Sequence, residues 1–234
     1  MVEKVLEAKN INKYFRVPVD FHVLKNISLE IDKGEFVSIM GKSGCGKSTL
    51  LYILSTMDTD FEGDLFLNNR LISGLSQNEL ASIRNEQIGF VFQFHYLLSE
   101  FTVLENVMLP ARKLGKKSAE EIEHDAYEKL KLLEIGDQAL KLSSRISGGQ
   151  KQRVMIAMAI ACKPDILIAD EPTTALDVTV QKEIILLLKE LQEQNDMSIL
   201  FISHDLPLVS EIADDVIVVY KGEIIEKGTT KDIF

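Results

Sequence analysis

The chain has 234 residues, of which 46% are hydrophobic, and it carries a formal net charge of −10. This length and apolar fraction allow a substantial core and fit one large domain better than two unrelated ones. The acidic charge argues against a nucleic-acid partner, because a surface that binds duplexes non-specifically needs clustered Lys and Arg. The two cysteines, Cys45 and Cys162, form no CxxC or Cys/His set, which argues against a disulfide framework and a zinc site.

Strand-like and helical segments alternate along the chain. Residues 5–11 and 23–31 alternate apolar and polar positions, which predicts an antiparallel strand pair with one exposed face. Continuous apolar runs predict parallel strands that are buried on both faces, at 35–40, 89–92, 166–170, 198–202 and 216–220. Helices are predicted at 47–55, 150–162, 180–194 and 206–213. These elements together predict an α/β fold with an antiparallel β edge.

Between residues 102 and 142 the pattern changes to a helical period with many charged positions. We interpret this stretch as a helical subdomain inserted into the sheet domain at about 99–142. The core of a single domain is then formed by 1–98 and 143–234. No apolar run approaches the roughly 20 residues needed to cross a bilayer, so we expect a membrane role to depend on a partner.

The predicted strand at 35–40 leads into Gly41-Lys-Ser-Gly-Cys-Gly-Lys47-Ser48-Thr49, which matches the phosphate-loop pattern GxxxxGK[ST] between a strand and a helix. Its glycines let backbone N–H groups turn around phosphates, and the helix start adds partial positive charge. In this pattern Lys47 contacts the β- and γ-phosphates, and the Ser48 hydroxyl binds Mg²⁺. The predicted nucleotide-binding residues are Gly41, Ser43, Gly44, Cys45, Gly46, Lys47, Ser48 and Thr49. The motif alone does not separate ATPases from GTPases and kinases.

Polar residues follow two further predicted strands. Asp170 and Glu171 end the run at 166–170, at the edge of a parallel sheet where ligands of open α/β folds bind. Asp170 is predicted to hold Mg²⁺, and Glu171 to polarise a water for attack on the γ-phosphate. His204 follows the run at 198–202 and is predicted to reach the γ-phosphate. The alternatives are that the acids only cap the next helix and that the histidine is structural.

Ser147-Gly148-Gly149-Gln150 precedes the predicted helix at 150–162 and offers a second anion site, because a helix start has free N–H groups. A single triphosphate on the phosphate loop leaves this second site without a ligand from the same chain. Two chains arranged head to tail around a two-fold axis satisfy both sites twice, which predicts a dimer. The alternative is an ordinary helix N-cap next to a flexible loop.

These motifs, with Gln93 after Gly89-Phe-Val-Phe92, Asp177 and His204, stand in the order found in ABC ATPases, and the chain resembles that family over nearly its whole length. The resemblance implies a P-loop NTPase core, with ATP and Mg²⁺ as ligands. It implies that Gln93 contacts Mg²⁺ and the attacking water, and that Ser147 to Gln150 complete the partner chain's ATP site. It also implies an interface role for Asp177 and adenine stacking by Phe15, with Tyr14 as the alternative.

The same resemblance implies an ATPase that drives transport, works as a dimer with itself or a homologous ATPase subunit, and binds an integral membrane permease. Such a subunit is cytoplasmic and peripheral on the inner face of the cell membrane. The segment 93–107 is similar to the lipoprotein-releasing and macrolide-exporter group, whereas 153–159 and 169–181 are similar to oligopeptide and nickel importers. We expect an exporter-like subunit, with an importer as the alternative. A non-transport ABC ATPase and a small-molecule kinase are the hypotheses from other classes.

Overall fold

The computed structural model of the chain describes residues 3–16, 18, 20–174, 176–203 and 205–234. These residues form two compact units. One contains the residues up to Ala81 together with Gln192–Phe234, and the other contains Ser82–Leu191. Each unit has its own strands and helices, and the candidate residues are divided between them.

The first unit contains an antiparallel sheet. Its strands are β1 (Lys4–Phe15), β2 (Phe21–Asp32), β4 (Glu62–Leu67) and β5 (Arg70–Leu71), in the order β2-β1-β4-β5. Buried and exposed positions alternate along the second half of β2, as expected for a sheet with one face on the core. The predicted antiparallel pair is confirmed, and both of its strands are longer than predicted.

The same unit contains parallel strands that support the phosphate loop. Strand β3 (Phe36–Met40) pairs in parallel with β8 (Ser198–Ile202) on one side and with β9 (Asp215–Tyr220) on the other. Strand β10 (Glu223–Thr229) is antiparallel to β9. Every residue of β3 and β8 is buried, and the rings of Phe36 and Phe201 lie 5.9 Å apart in the core between them. Burial on both faces explains why these strands are continuous apolar runs.

The second unit has a parallel pair and most of the helices. Strand β6 (Ile88–Val91) pairs in parallel with β7 (Ile166–Asp170).

The helices of the chain, in order, are α1 (Lys47–Leu54), α2 (Gln77–Gln87), α3 (Val103–Leu114), α4 (Ala119–Leu132), α5 (Gly148–Ala159), α6 (Val178–Asn195), α7 (Leu206–Ile212) and α8 (Thr230–Ile233). Helices α3, α4 and α5 each begin with a capping box.

The strands predicted to be parallel are confirmed to within one residue at each end, and the α/β fold class is confirmed with them. The predicted helices are also found, and α5 starts at Gly148 instead of residue 150 because Ser147 caps it. Among the strands and α-helices, five were not predicted: β4, β5, α2, α8 and β10. Strand β10 has no buried residue, so it carries no apolar pattern. Helices α3 and α4 lie within 99–142, and the separate helical subdomain stays a prediction.

Within the described part of the chain, no helix is both long and apolar enough to cross a membrane.

Asn106 on α3 is fully buried and fixes the segment that follows Gln93. Its side-chain oxygen accepts a hydrogen bond from the backbone N–H of Leu98 at 2.8 Å. Its amide donates to the carbonyl oxygens of Thr102 at 2.9 Å and Leu98 at 3.1 Å. The Ser143 hydroxyl also donates to the Leu98 carbonyl, at 2.7 Å. These hydrogen bonds tie the loop to the helix.

We predict that Asn106→Leu lowers the free energy of unfolding by about 2–4 kcal/mol, because it removes a fully buried amide that bonds to the N–H of Leu98 and to the carbonyls of Leu98 and Thr102. Urea unfolding followed by circular dichroism measures the change. Asn78→Leu, at an exposed position of α2, is the control and is expected to change stability by less than about 0.5 kcal/mol. Equal stability of the two variants would contradict the anchoring role of Asn106.

Candidate functional site

The loop between β3 and α1 depends on glycines at two points where the chain makes close contacts. A Cβ on Gly41, whose φ is +150°, would lie 2.2 Å from the carbonyl oxygen of Val219. A Cβ on Gly46, whose φ is +106°, would lie 2.8 Å from a side-chain carbon of Leu24. A Cβ on Gly41 would force the neighbouring backbone to move, and the positive φ at both positions favours glycine. The predicted strand–loop–helix context of the motif is therefore confirmed.

Lys47, the first residue of α1, lies over this loop. Its side chain is buried, and its ammonium group donates to the carbonyl oxygens of Gly41 at 2.8 Å and Lys42 at 3.2 Å. The N-cap residue of the helix is Gly46, which has no side chain to bond to the N–H groups of the first turn. Ser48 in that first turn is exposed. The loop therefore offers a cation and a helix start to an anion.

Main-chain hydrogen bonds connect the loop to the turn between β9 and β10. The N–H of Gly222 donates to the carbonyl of Cys45 at 3.1 Å, and the N–H of Lys25 donates to the carbonyl of Gly222 at 2.8 Å. The side chain of Cys45 is buried, whereas Ser43 and Gly44 at the tip of the loop are exposed. Cys45 thus packs inside the loop, and the tip is left accessible to a ligand.

Two aromatic residues end β1, and they differ in their surroundings. Tyr14 stacks on His22 with ring centroids 4.1 Å apart. Phe15 is 45% exposed, and the ammonium group of Lys13 lies 5.7 Å from the centre of its ring. Lys13 itself is buried and was not among the predicted residues. Both rings are accessible, and Phe15 is the more exposed.

The predicted carboxylates of the second unit lie at the end of β7. Asp170 is buried, and Glu171 has a φ of +45°, a strained backbone conformation for a residue with a side chain. The Glu171 carboxylate accepts hydrogen bonds from the Thr174 hydroxyl at 3.1 Å and from the Gln93 amide at 3.5 Å. The structure therefore brings Gln93 and Glu171 together, as a pair whose chemistry suits a held water molecule.

Ser147 is the N-cap of α5. Its hydroxyl accepts a hydrogen bond from the N–H of Gln150 at 3.3 Å, and the Gln150 side chain accepts one from the N–H of Ser147 at 3.0 Å. A Cβ on Gly149 would lie 3.0 Å from the side chain of Val180, so a glycine lets α5 begin close to α6. Ser147 and Gly148 are exposed. The cap that we considered as an alternative is present, and the helix start is also accessible to an anion.

Asp177 is exposed and begins α6, where its carboxylate accepts a hydrogen bond from the N–H of Val180 at 3.1 Å. Gln181 fixes the loop before it, because its amide donates to the carbonyls of Thr173 at 2.9 Å and Leu176 at 3.0 Å. His204 lies outside the described residues. Three residues that bond at these sites were missed in the sequence, because no motif marks them: Lys13, Thr174 and Gln181. Of the three, Thr174 could have been noticed, because it lies three residues after Glu171.

Comparison with known proteins gives the same family as these motifs. A family model described as ABC transporter matches residues 24–174. The chain is 41% identical to the lipoprotein-releasing system ATP-binding protein LolD of Aquifex aeolicus, over 97% of this chain and 98% of that protein. It is 39% identical to the dipeptide transport ATP-binding protein DppD of Bacillus subtilis, over 100% of this chain and 73% of that protein.

A solved structure agrees with these relatives. It is the dimeric, post-hydrolysis state of the ATP-binding cassette MJ0796, a protein of Methanocaldococcus jannaschii, bound to ADP and Pi. It is 38% identical to this chain and matches it with a TM-score of 0.88, covering 96% of this chain and 98% of that one. The chain therefore belongs to the ABC transporter family, as an ATP-binding subunit that hydrolyses ATP to drive transport.

Proposed function

We propose that the chain binds ATP with Mg²⁺ at residues 41–49, closes with a second copy around the nucleotide, and moves a membrane permease by hydrolysing it. The observation that carries the proposal is the loop formed by Gly41 and Gly46 around the buried Lys47. A triphosphate fits this loop, because Lys47 can exchange its carbonyl partners for phosphate oxygens. The amides of the first turn of α1 supply further donors, and Thr49 lies in that turn.

The residues also fit Mg²⁺, which prefers oxygen ligands. The proposed ligands are the Ser48 hydroxyl, the Asp170 carboxylate and the Gln93 side-chain oxygen, each of which is an oxygen donor. The ion would neutralise charge on the β- and γ-phosphates. Asp170 suits this role because its carboxylate is buried at the end of β7, where a positive charge offsets the cost of burying a carboxylate.

For hydrolysis we assign Glu171 as the general base and Gln93 as the residue that orients the water. Water attacks the γ-phosphorus, its proton passes to Glu171, and the bond from the γ-phosphorus to the β–γ bridging oxygen breaks. The products are ADP and phosphate. The contact between Gln93 and Glu171 supports this assignment, because the two side chains lie close enough to bond to the same water molecule. His204 is proposed to contact the γ-phosphate, and Phe15 to stack on adenine.

Dimerisation is proposed to be head to tail, with Ser147, Gly148, Gly149 and Gln150 completing the ATP site of the other copy. The exposed start of α5 supports this, and so does the dimeric relative with ADP and Pi. The Ser147 hydroxyl accepts from Gln150 and still has its own hydrogen to donate to a phosphate oxygen. Exposed Asp177 is proposed to contact the second copy. A homologous ATPase subunit is the alternative partner.

The permease is proposed to bind the segment after Gln93. Three apolar side chains there are unusually exposed: Phe94 at 62%, Tyr96 at 63% and Leu98 at 46%. A cluster of exposed apolar residues marks an interaction surface more often than a free one. The chain is then cytoplasmic and peripheral on the inner face of the membrane, held there by the permease.

For the transported substrate, we propose an exporter-like role for a lipoprotein, macrolide or peptide. The relative named for lipoprotein release supports this, because it matches this chain over nearly its own whole length. The relative named for dipeptide transport favours a peptide importer as the second candidate, since it matches all of this chain.

Glu171→Gln is expected to slow ATP hydrolysis about 10²- to 10⁴-fold, because the amide cannot accept the proton from water. ATP binding is expected to persist, so the variant should form a stable dimer with ATP and magnesium. Phosphate release and size-exclusion chromatography with light scattering measure the two effects. Glu193→Gln, at an exposed site near the end of α6, is the control. A Glu171→Gln variant that stays monomeric with ATP at every protein concentration would contradict the dimer.

Ser147→Arg and Lys47→Ala are each expected to abolish hydrolysis when present in both copies. If the sites are shared, an equal mixture of the variants regains about a quarter of the parental rate, because half of the randomly paired dimers contain one intact site. Ser118→Arg is the matched control, since Ser118 caps α4 through the same kind of capping box. Parental activity of Ser147→Arg, or no recovery on mixing, counts against a shared site.

The double substitution of Phe94→Ala with Leu98→Ala is expected to release the chain from its membrane partner, while ATP affinity changes by less than about twofold. Co-purification of the tagged chain from solubilised membranes measures the first effect, and nucleotide titration the second. Leu71→Ala, at a 47% exposed position of β5, is the control. Retention of the membrane protein by the double variant would place the docking surface elsewhere.

A further inference from the structure

Lys13 is a buried cation at the end of β1, with a side chain that is 4% exposed. Its ammonium group lies 2.8 Å from the Asp58 carboxylate and 3.2 Å from the Asp60 carboxylate, and it also donates to the Asp60 carbonyl. Burial by itself would lower the pKa of Lys13, but the bonds to Asp58 and Asp60 outweigh burial and raise that pKa. Lys13 is therefore charged at neutral pH and fixed in place.

Both acids belong to the loop that follows α1, the helix that starts at the phosphate loop. The N–H of Asp58 donates to the carbonyl of Tyr52 on α1 at 2.9 Å, and the N–H of Asp60 donates to the Asp58 carboxylate at 2.9 Å. The loop is thus anchored on the helix by hydrogen bonds. Through Asp58 and Asp60, Lys13 connects the end of β1 to the C-terminal end of α1.

The same lysine supports the exposed ring of Phe15. Its ammonium group lies 5.7 Å from the ring centre, within the range of a cation–π interaction. The pairing of β1 with β2 shifts at this point, since Lys13 pairs with Leu24 and Tyr14 with His22. A shift of this kind changes the direction of side chains along a strand. It directs Lys13 inwards while Phe15 is left exposed.

The shift is also next to the phosphate loop. Leu24 is the residue whose side chain leaves no room for a Cβ on Gly46. The segment that sets the direction of Lys13 therefore contacts the N-cap of α1, and the partners of Lys13 lie at the other end of that helix. The N-terminal end of α1 thus contacts Leu24, and its C-terminal end is connected to Lys13 through Asp58.

We propose that Lys13 is a positioning residue for the nucleotide base: its ammonium group, held by Asp58 and Asp60, fixes the ring of Phe15 relative to helix α1. The inference rests on the proposed role of Phe15 as the surface on which adenine stacks. A base stacks on an aromatic ring only where the ring is oriented to meet it, and the phosphates fix where the base arrives. Lys13 then contributes to the binding of the base and not to that of the phosphates.

The test compares two ligands, MgATP and magnesium tripolyphosphate, which share the phosphate chain but not the base. Their dissociation constants are measured by isothermal titration calorimetry on the full chain. Lys13→Met is expected to weaken ATP binding about fivefold and to change tripolyphosphate binding by less than about twofold. Lys13→Arg is expected to restore the parental ratio, because a guanidinium group also bonds carboxylates and packs on rings.

Lys9→Met is the matched control. Lys9 also lies on β1 and also contacts a ring, with its ammonium group 4.7 Å from the centre of Phe66, but it is 49% exposed and pairs with Glu7. It is expected to leave both constants unchanged. If Lys13→Met weakens the binding of both ligands equally, Lys13 only supports the fold. If it weakens the binding of neither ligand, Lys13 has no role in binding. Either result leaves the ratio of the two dissociation constants unchanged and overturns the proposal.

Two further variants separate the possible failures. Phe15→Leu tests the base platform: if it leaves the ratio of the two constants unchanged, the proposed role of Phe15 itself is wrong. If Phe15→Leu lowers ATP affinity selectively and Lys13→Met does not, only the role of Lys13 is wrong. Lys13→Met leaves Asp58 without its cation and can fail to fold. Asp58→Asn then takes its place, with a smaller selective loss of ATP affinity expected and an unchanged ratio overturning the proposal.

Discussion

The phosphate loop depends on the close approach of three stretches of backbone. Gly41 lies against the carbonyl of Val219, and Gly46 lies against Leu24. Gly222, in the turn after β9, leaves a hypothetical Cβ only 2.2 Å from the carbonyl of Val23. Each contact exists only because a glycine has no side chain, and together they hold the loop between β2 and β9. A loop fixed in this way presents its N–H groups to an anion without first having to order them, which preserves binding free energy.

The same constraint links the phosphate loop to the segment of the first unit that positions Lys13 and Phe15. Val23 and Leu24 support the phosphate loop, and they lie where the pairing of β1 with β2 shifts. That shift turns Lys13 inwards to Asp58 and leaves Phe15 exposed. The proposed sites for the phosphates and the base therefore share one short segment of β2. A change in this segment would alter both proposed sites, whereas a change at Lys13 would alter only the proposed base site.

The sequence was sufficient for the parts of the fold and site that rest on local patterns. Buried strands such as Ile166–Asp170 are continuous apolar runs, and the phosphate loop and the start of α5 are marked by glycines in a fixed spacing. Lys13 and Asn106 could not be predicted, because a charged or polar residue in an amphipathic segment is ordinarily exposed. Lys13 can be buried because it bonds to Asp58, which lies 45 residues further along the chain. Asn106 can be buried because it bonds to the carbonyl of Leu98 in the neighbouring loop. Strand β10 was missed because it has no buried face.

In the second unit, residues that fix the backbone are also those proposed to contact the ligand. Ser147 caps α5 by accepting from Gln150, and a hydroxyl group that accepts one hydrogen bond can still donate its own hydrogen. Glu171 has a strained backbone, and its carboxylate accepts hydrogen bonds from Thr174 and Gln93, which orient it. Both side chains are therefore oriented before any ligand arrives. In the proposed mechanism, the contacts that stabilise the unit also orient these two side chains towards phosphate and water.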